Sequence, residues 1–165
     1  MKKYKVLIPV IAIATLIGCN QKVETPTNGV AVLTAMNETN TVGTIVFKQT
    51  KQNLHITGSV ENITPGKHGF HIHQFGDLRS STGKTAGGHY NPHEKKHGDH
   101  SGDLGNIIAD ESGVAIVDVT ISTMSINDIL GRSIVVHANA DDLISQPSGA
   151  AGKRIGVGVI GIKQP

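Results

Sequence analysis

The sequence has no tryptophan, two tyrosines, three phenylalanines and a single cysteine among its 165 residues. One cysteine excludes an internal disulfide, so an exported form of this chain must hold itself together by its core and by bound metal. The shortage of aromatic residues removes the stacking platforms that hold single-stranded nucleic acid, and no basic stripe runs along the chain. Nucleic acid is therefore not an expected partner. No apolar run reaches the roughly 20 residues that a membrane-crossing helix needs. The formal net charge of +2 reflects Lys2, Lys3 and Lys5; without them, 12 basic residues stand against 13 acidic ones. The length suits one domain with a single core.

What is present begins with an address. Lys2, Lys3 and Lys5 precede an apolar run, Val6 to Ile17, interrupted by Pro9. That run is too short to span a bilayer but fits the apolar segment of a signal peptide. It ends in Leu16-Ile17-Gly18-Cys19, which resembles a bacterial lipobox, where the cysteine receives a lipid and becomes the new N-terminus. The expectation is a lipoprotein signal peptide over 1–18, a lipidated Cys19 with a polar tether over 19–28, and a folded domain over 29–165. Two acyl chains give stable anchoring where one gives only marginal binding, so the extracytoplasmic face of a membrane is the expected partner surface. An ordinary signal peptide carrying a chance cysteine is the plainer alternative.

Twenty glycines, many β-branched residues and no long amphipathic pattern point to an all-β domain with tight turns. Eight strands are expected: 30–36, 42–48, 54–60, 68–75, 104–109, 114–121, 133–137 and 155–162. The third alternates with period 2 through Leu54-His55-Ile56-Thr57-Gly58-Ser59-Val60. Two long loops, 76–102 and 138–153, interrupt the pattern. Loops of this length are usually functional or disordered. Eight short strands with two such loops predict a Greek-key β-barrel or sandwich.

Nine histidines are the compositional anomaly, and seven lie between His68 and His100. His71 and His73, two apart on a predicted strand, share one face. Alone, that pair reads equally as half a metal site or as two half-buried strand histidines. His89, His97, His100 and Asp103 add three imidazoles and a carboxylate from a glycine-rich loop, a donor set that suits tetrahedral zinc. His137 ends the apolar strand Ile134-Val135-Val136 and is a candidate to join His71 and His73. Imidazole-rich sites with open access favour copper, which tops the divalent affinity series. Spacing alone does not show that these groups converge. His55, His68 and His93 are read as solvated surface histidines.

Here the sequence resembles a known family. Gly69-Phe70-His71-Ile72-His73-Gln74-Phe75-Gly76-Asp77 is similar to the first signature of the copper,zinc superoxide dismutases. Gly88-His89-Tyr90-Asn91-Pro92, Lys96-His97-Gly98, His100-Ser101-Gly102-Asp103-Leu104-Gly105-Asn106, the stretch from Gly131 to Leu143 and the stretch from Arg154 to Ile162 follow in the family's order. The resemblance covers about residues 29 to 163. It implies copper bound by His71, His73, His89 and His137, and zinc by His89, His97, His100 and Asp103, with His89 bridging. It implies that Asp141 links His71 and His97 as an outer-shell carboxylate, and that Arg154 meets the anionic substrate. The implied reaction is dismutation of superoxide to dioxygen and hydrogen peroxide in two halves, with His89 taking up and returning a proton.

The sequence departs from the family in two places. The resemblance implies a disulfide between the loop after the first signature and the last strand, but the loop reads Leu78-Arg79-Ser80-Ser81-Thr82-Gly83 and the strand carries Val157. A structural disulfide typically contributes about 2–4 kcal/mol, so the rigidity of that loop is put in doubt. The loop before Arg154 is short, with no glutamate and with Lys153 as its only lysine. A copper-carrying protein and an inactive member are competing readings; both predict missing ligands or a missing arginine, and here all are present. No stripe in the sequence is diagnostic of an oligomer.

Overall fold

A computed structural model of the chain describes residues 25–164. The expected signal peptide, Cys19 and most of the expected tether lie outside the described residues. Among the described residues there are ten strands: β1 (Asn28–Val32), β2 (Thr34–Ala35), β3 (Val42–Gln49), β4 (Leu54–Glu61), β5 (Gly66–His73), β6 (Asp103–Ala109), β7 (Val114–Ile121), β8 (Ser133–His137), β9 (Arg154–Val159) and β10 (Gly161–Ile162). A 3-10 turn at Lys84–Ala86 and the single helical turn α1 (Ile126–Ile129) complete the elements.

The strand order is β10-β1-β3-β4-β7-β6-β5-β8-β9-β2. It closes on itself, because β1 continues into β2 and β9 into β10. Gly29 faces Ile162 and Val30 faces Gly161 at one end of this pairing, while Thr34 faces Val157 and Ala35 faces Gly156 at the other, in one antiparallel register. The eight expected segments thus become ten because the first and last are interrupted, at Leu33 and Ile160. At both breaks the backbone still finds partners. Leu33 donates to the Gly43 carbonyl, and Ile160 exchanges bonds with Arg132 and Gly131. The sheet is thinnest between β6 and β7, which pair only at Ala109 and Ala115.

Alternation along the strands builds the interior. Ile45, Phe47, Leu54, Ile56, Phe70, Ile72 and Ile134 are fully buried in one core cluster. Each such side chain contributes roughly 1.5–3 kcal/mol relative to leaving it in water. On β5 the alternation has a second consequence. Phe70 and Ile72 enter the core, so His71 and His73 point to the opposite face, yet they too are buried. The two long loops cover that face.

Two expectations are corrected. His68 is not a surface histidine: it is 1% exposed. Its ring fits between two main-chain carbonyl oxygens, 2.7 Å from that of His137 and 2.7 Å from that of Thr64. The fourth strand starts at Gly66 rather than 68 and ends at His73 rather than 75. Gly66 and Lys67 pair with Ala109 and Ile108, whereas Gln74 and Phe75 bond to the loop, at Gly88 and Ala86. Asn28, the last residue of the expected tether, is already paired with Lys48. His93 is exposed, and His55 is half-exposed beside Thr120 of the neighbouring strand.

Candidate metal centre

The long loop after β5 returns along its C-terminal end. Gln74 donates to the Gly88 carbonyl, Tyr90 donates to Ile72, and Ile72 donates to Gly102. His89, between the first two bonds, is bridged to His73. On the other side β8 pairs with β5 and ends at His137. The result is two four-residue clusters sharing one member: His71, His73, His89 and His137, and His89, His97, His100 and Asp103. Within each, the candidate ligand atoms lie within 4.8 Å of one another. Every metal candidate that the sequence singled out is brought into one of these sets.

Hydrogen bonds decide which nitrogen of each ring is free. His71 Nε2 donates to Asp141 Oδ2 at 2.7 Å, and its Nδ1 is buried without a partner. His73 Nδ1 donates to the Gly87 carbonyl at 2.9 Å and His137 Nδ1 to that of Gly152 at 3.2 Å, leaving two Nε2 atoms that approach to 3.4 Å. His89 Nε2 is likewise buried and unpartnered, while its Nδ1 lies 2.6 Å from Asp103 Oδ1. His97 Nε2 donates to Asp141 Oδ1 at 2.9 Å, and its unpartnered Nδ1 lies 3.2 Å from Asp103 Oδ2. His100 Nδ1 is 3.2 Å from Asp103 Oδ1. Buried nitrogens without partners are costly. Here their rings belong to the two clusters, which fits two cation sites sharing His89.

The electrostatics agree with that reading. Burial pushes His71 down to about 4, and the neighbouring His89 pushes the same way. Burial, then His71, pushes His137 down to about 3. His73 is held well below the ordinary imidazole range by burial and by His137. These rings stay neutral at physiological pH, the form that binds metal. Burial alone would raise Asp141, but hydrogen bonds from His97, the Leu143 amide and His71 hold it low. Asp103 is held low in the same way, by His89 and the Gly98 amide.

Arg154 opens β9 at the wall of a cleft of about 660 Å³ lined also by His73, His89, His100 and His137. Its Nη1 donates to the Gly83 carbonyl, and its Nη2 donates to Gly87 at 2.6 Å. Gly87 is also the partner of His73, so Arg154 and one ring of the first cluster share an acceptor. Glu94 and Lys95 lie at the same cleft; sequence reading did not find them, because nothing in their spacing ties them to Arg154.

The loop expected to lack its disulfide is held another way. Val157, at the strand position, is fully buried with Met36, Ala86 and Val135, and Leu78 packs against them. Asn37 adds two bonds, from its amide to the Ser81 carbonyl and from its side chain to that of Thr82. A small apolar cluster and a few main-chain bonds stand where a covalent link was expected.

A curled all-β sheet presenting two clusters of metal-binding side chains joined by one histidine fits a protein that holds two metal ions. Comparison narrows the class. The family model of copper/zinc superoxide dismutase matches residues 41–160. Over 151 residues the chain is 42% identical to the extracellular superoxide dismutase (Cu-Zn) of Brugia pahangi, covering 81% of this chain and 75% of that one. Over 156 residues it is 44% identical to the superoxide dismutase (Cu-Zn) of Onchocerca volvulus, covering 82% and 96%. The crystal structure of the clock protein EA4 is similar with a TM-score of 0.75 at 36% identity, covering 85% of this chain and 97% of that one. The chain belongs to the copper/zinc superoxide dismutase family. Its reaction is the dismutation of superoxide to dioxygen and hydrogen peroxide, and its cofactors are copper and zinc.

Proposed function

We propose that His71, His73, His89 and His137 hold the copper, that His89, His97, His100 and Asp103 hold the zinc, and that His89 joins them. The observation carrying this assignment is the set of buried, unpartnered nitrogens, His71 Nδ1, His89 Nε2 and His97 Nδ1, in rings whose other nitrogens are engaged. Copper, when bound, supplies one-electron oxidation and reduction of superoxide. The protein does the rest. His89 accepts a proton at Nε2 and gives it up to the departing product. Asp141 fixes the orientation of His71 and His97. Arg154, rigid between two carbonyls, attracts the anion into the cleft. Elemental analysis after reconstitution should give one copper and one zinc per chain, together with superoxide consumption. Uptake of zinc alone, at both sites, would overturn the assignment.

We further propose that the enzyme works outside the cell, tethered through a lipid on Cys19 by residues 19–28 to the extracytoplasmic face of a bacterial membrane, and guards that surface against superoxide. Support comes from the charged, apolar and Leu16-Ile17-Gly18-Cys19 segments in order, and, for an external location, from relatives named as extracellular enzymes. Cys19→Ser should release the protein from the membrane fraction or leave it uncleaved. Normal processing with full membrane retention would overturn the anchor.

A further inference from the structure

The two long loops meet at a seam beside the second cluster. The His97 amide donates to Gln146 Oε1 at 2.8 Å, and Gln146 Nε2 donates to the His97 carbonyl at 3.2 Å. One side-chain amide thus satisfies both main-chain groups of a single residue, as a neighbouring strand would. At the next residue the loops touch directly: Gly98 has φ +99°, and a Cβ there would come within 2.8 Å of the Leu143 carbonyl oxygen. The stretch bearing Gln146 is itself a closed turn. Asp142 Oδ1 accepts from the Ile144 and Ser145 amides, and Gly149 donates to Ser145. Gln146 therefore projects from a shaped support, not from a free loop.

The ring of His97 is fixed by Asp141, which sets its rotation. The ring does not set where the backbone of His97 sits, and that backbone belongs to the long loop with few apolar anchors. We propose that Gln146 is a positioning residue for His97, holding its main chain at the distance at which Nδ1 meets Asp103, and so raising zinc affinity. The proposal rests on the zinc-ligand assignment above. The physical case is preorganisation: the protein, not the metal, bears the cost of ordering the loop, so less of the binding free energy is spent on it. Partners one step removed from the ligands typically account for 10–100-fold in metal affinity. Gln146 is exposed, which places its effect at the low end.

The test is competition between the full protein and a zinc chelator, with cobalt bound at the zinc site as a spectroscopic reporter. Gln146→Ala and Gln146→Met should each bind zinc about tenfold more weakly and broaden the cobalt d–d bands. Copper affinity should stay within twofold in both, which also shows that the variants are folded. Methionine matches the length of glutamine without its hydrogen bonds. Zinc affinity within twofold of wild type in both variants would overturn the proposal, as would weakening in the alanine variant alone, which would make the effect one of packing. Asp103→Ala is the control for the assignment beneath it. If that variant binds zinc like wild type, the ligand assignment fails and the proposal falls with it; if it loses zinc while both Gln146 variants do not, only the proposal fails.

Discussion

Asp141 Oδ2 lies 2.7 Å from His71 Nε2, with both side chains fully buried. The other oxygen of the same carboxylate reaches His97 Nε2 at 2.9 Å. His71 belongs to the first cluster and His97 to the second, so one carboxylate orients a ring in each. Asp141 is itself clamped: its amide donates to Asn106 Oδ1 at 2.7 Å, and Asn106 Nδ2 donates to its carbonyl at 2.9 Å. Asn106 sits on β6, which carries the barrel's rigidity into the loops. The buried charge of Asp141 is tolerable because each oxygen is paired and hydrogen-bonded.

That arrangement leaves no room at Gly149. A Cβ built there would collide with Asp141 Oδ1 and lie 2.5 Å from His97 Nε2, at a φ of +64° that disfavours any side chain. Gly149→Ala must therefore push the carboxylate aside. The expected outcome is a stability loss of about 1–3 kcal/mol and zinc affinity lowered by about 10–100-fold, with Asp141→Ala weakening zinc in the same range. Calorimetric melting and chelator competition check both. An alanine at 149 with wild-type zinc affinity would show that the Asp141 link is dispensable.

The metal-free protein should lose stability in a defined acid window. In the unfolded chain an imidazole titrates near 6.5. In the folded protein burial holds His71 at about 4 and His137 at about 3. Between these values the unfolded state binds more protons, so stability rises with pH. The contribution is complete above about pH 6.5 and is lost as pH falls from there through 4 to 3. Asp103 and Asp141, held low in the fold, lose theirs once pH drops below the ordinary carboxylate range. A shift from 6.5 to about 4 corresponds to roughly 3 kcal/mol. The histidine contributions do not add, because neighbouring charged rings repel. Urea titrations of the apoprotein at intervals from pH 7.5 to 3.5 should show a monotonic fall, and a flat profile from 6.5 to 4.5 would contradict it.

Much of this was legible because strands write their faces into the sequence. Leu54, Ile56 and Val60 alternate inward on β4 as their spacing predicted, and His71 and His73 share a face for the same reason. The breaks at Leu33 and Ile160 were not legible, since both lie inside apolar runs and arise from barrel closure. Helix α1 escaped, although Ser125 and Asp128 form a capping box, because a single turn shows no helical period. His68 escaped because its two carbonyl partners lie on β8 and in the turn before β5, and no local pattern reports a backbone acceptor. Asn106 and Gln146 escaped for the same reason: both act on main-chain groups of distant residues. The clustering of the candidate ligands entered through resemblance, and the geometry then supplied which nitrogen of each ring is free.

Removing metal should lower thermal stability sharply. The described core is held without a disulfide, and the loop over the site rests on the small cluster of Met36, Ala86, Val135 and Val157. A metal that binds only the folded state at a thousandfold above its dissociation constant stabilises by about 4 kcal/mol. For a domain of this size that is roughly 10–15 °C in melting temperature. Scans of the holoprotein and of protein stripped by chelator measure it directly, and coincident curves would contradict the expectation.

Arg154 should govern the encounter with superoxide. It donates to the Gly83 and Gly87 carbonyls, and its own burial lowers its affinity for a proton, yet a guanidinium stays charged at any physiological pH. At about 5 Å a unit charge attracts the anion by roughly 0.8 kcal/mol at the dielectric of water and about 3 at an effective value near 20. In rate terms that is about fourfold to a few hundredfold. Arg154→Ala should slow the reaction within that window and flatten its dependence on ionic strength. Arg154→Glu should be slower still, because the sign reverses. Arg154→Lys should fall between wild type and alanine: the charge remains, but an ammonium does not match the planar fork that spans two carbonyls. Copper content should hold in all three, since His73 keeps its own bond to the Gly87 carbonyl at 2.9 Å. The measurement is the rate constant with superoxide at several ionic strengths, alongside metal analysis. A glutamate variant with full copper and the wild-type rate would remove Arg154 from the encounter and leave Lys95, at the same cleft, as the cation to test next.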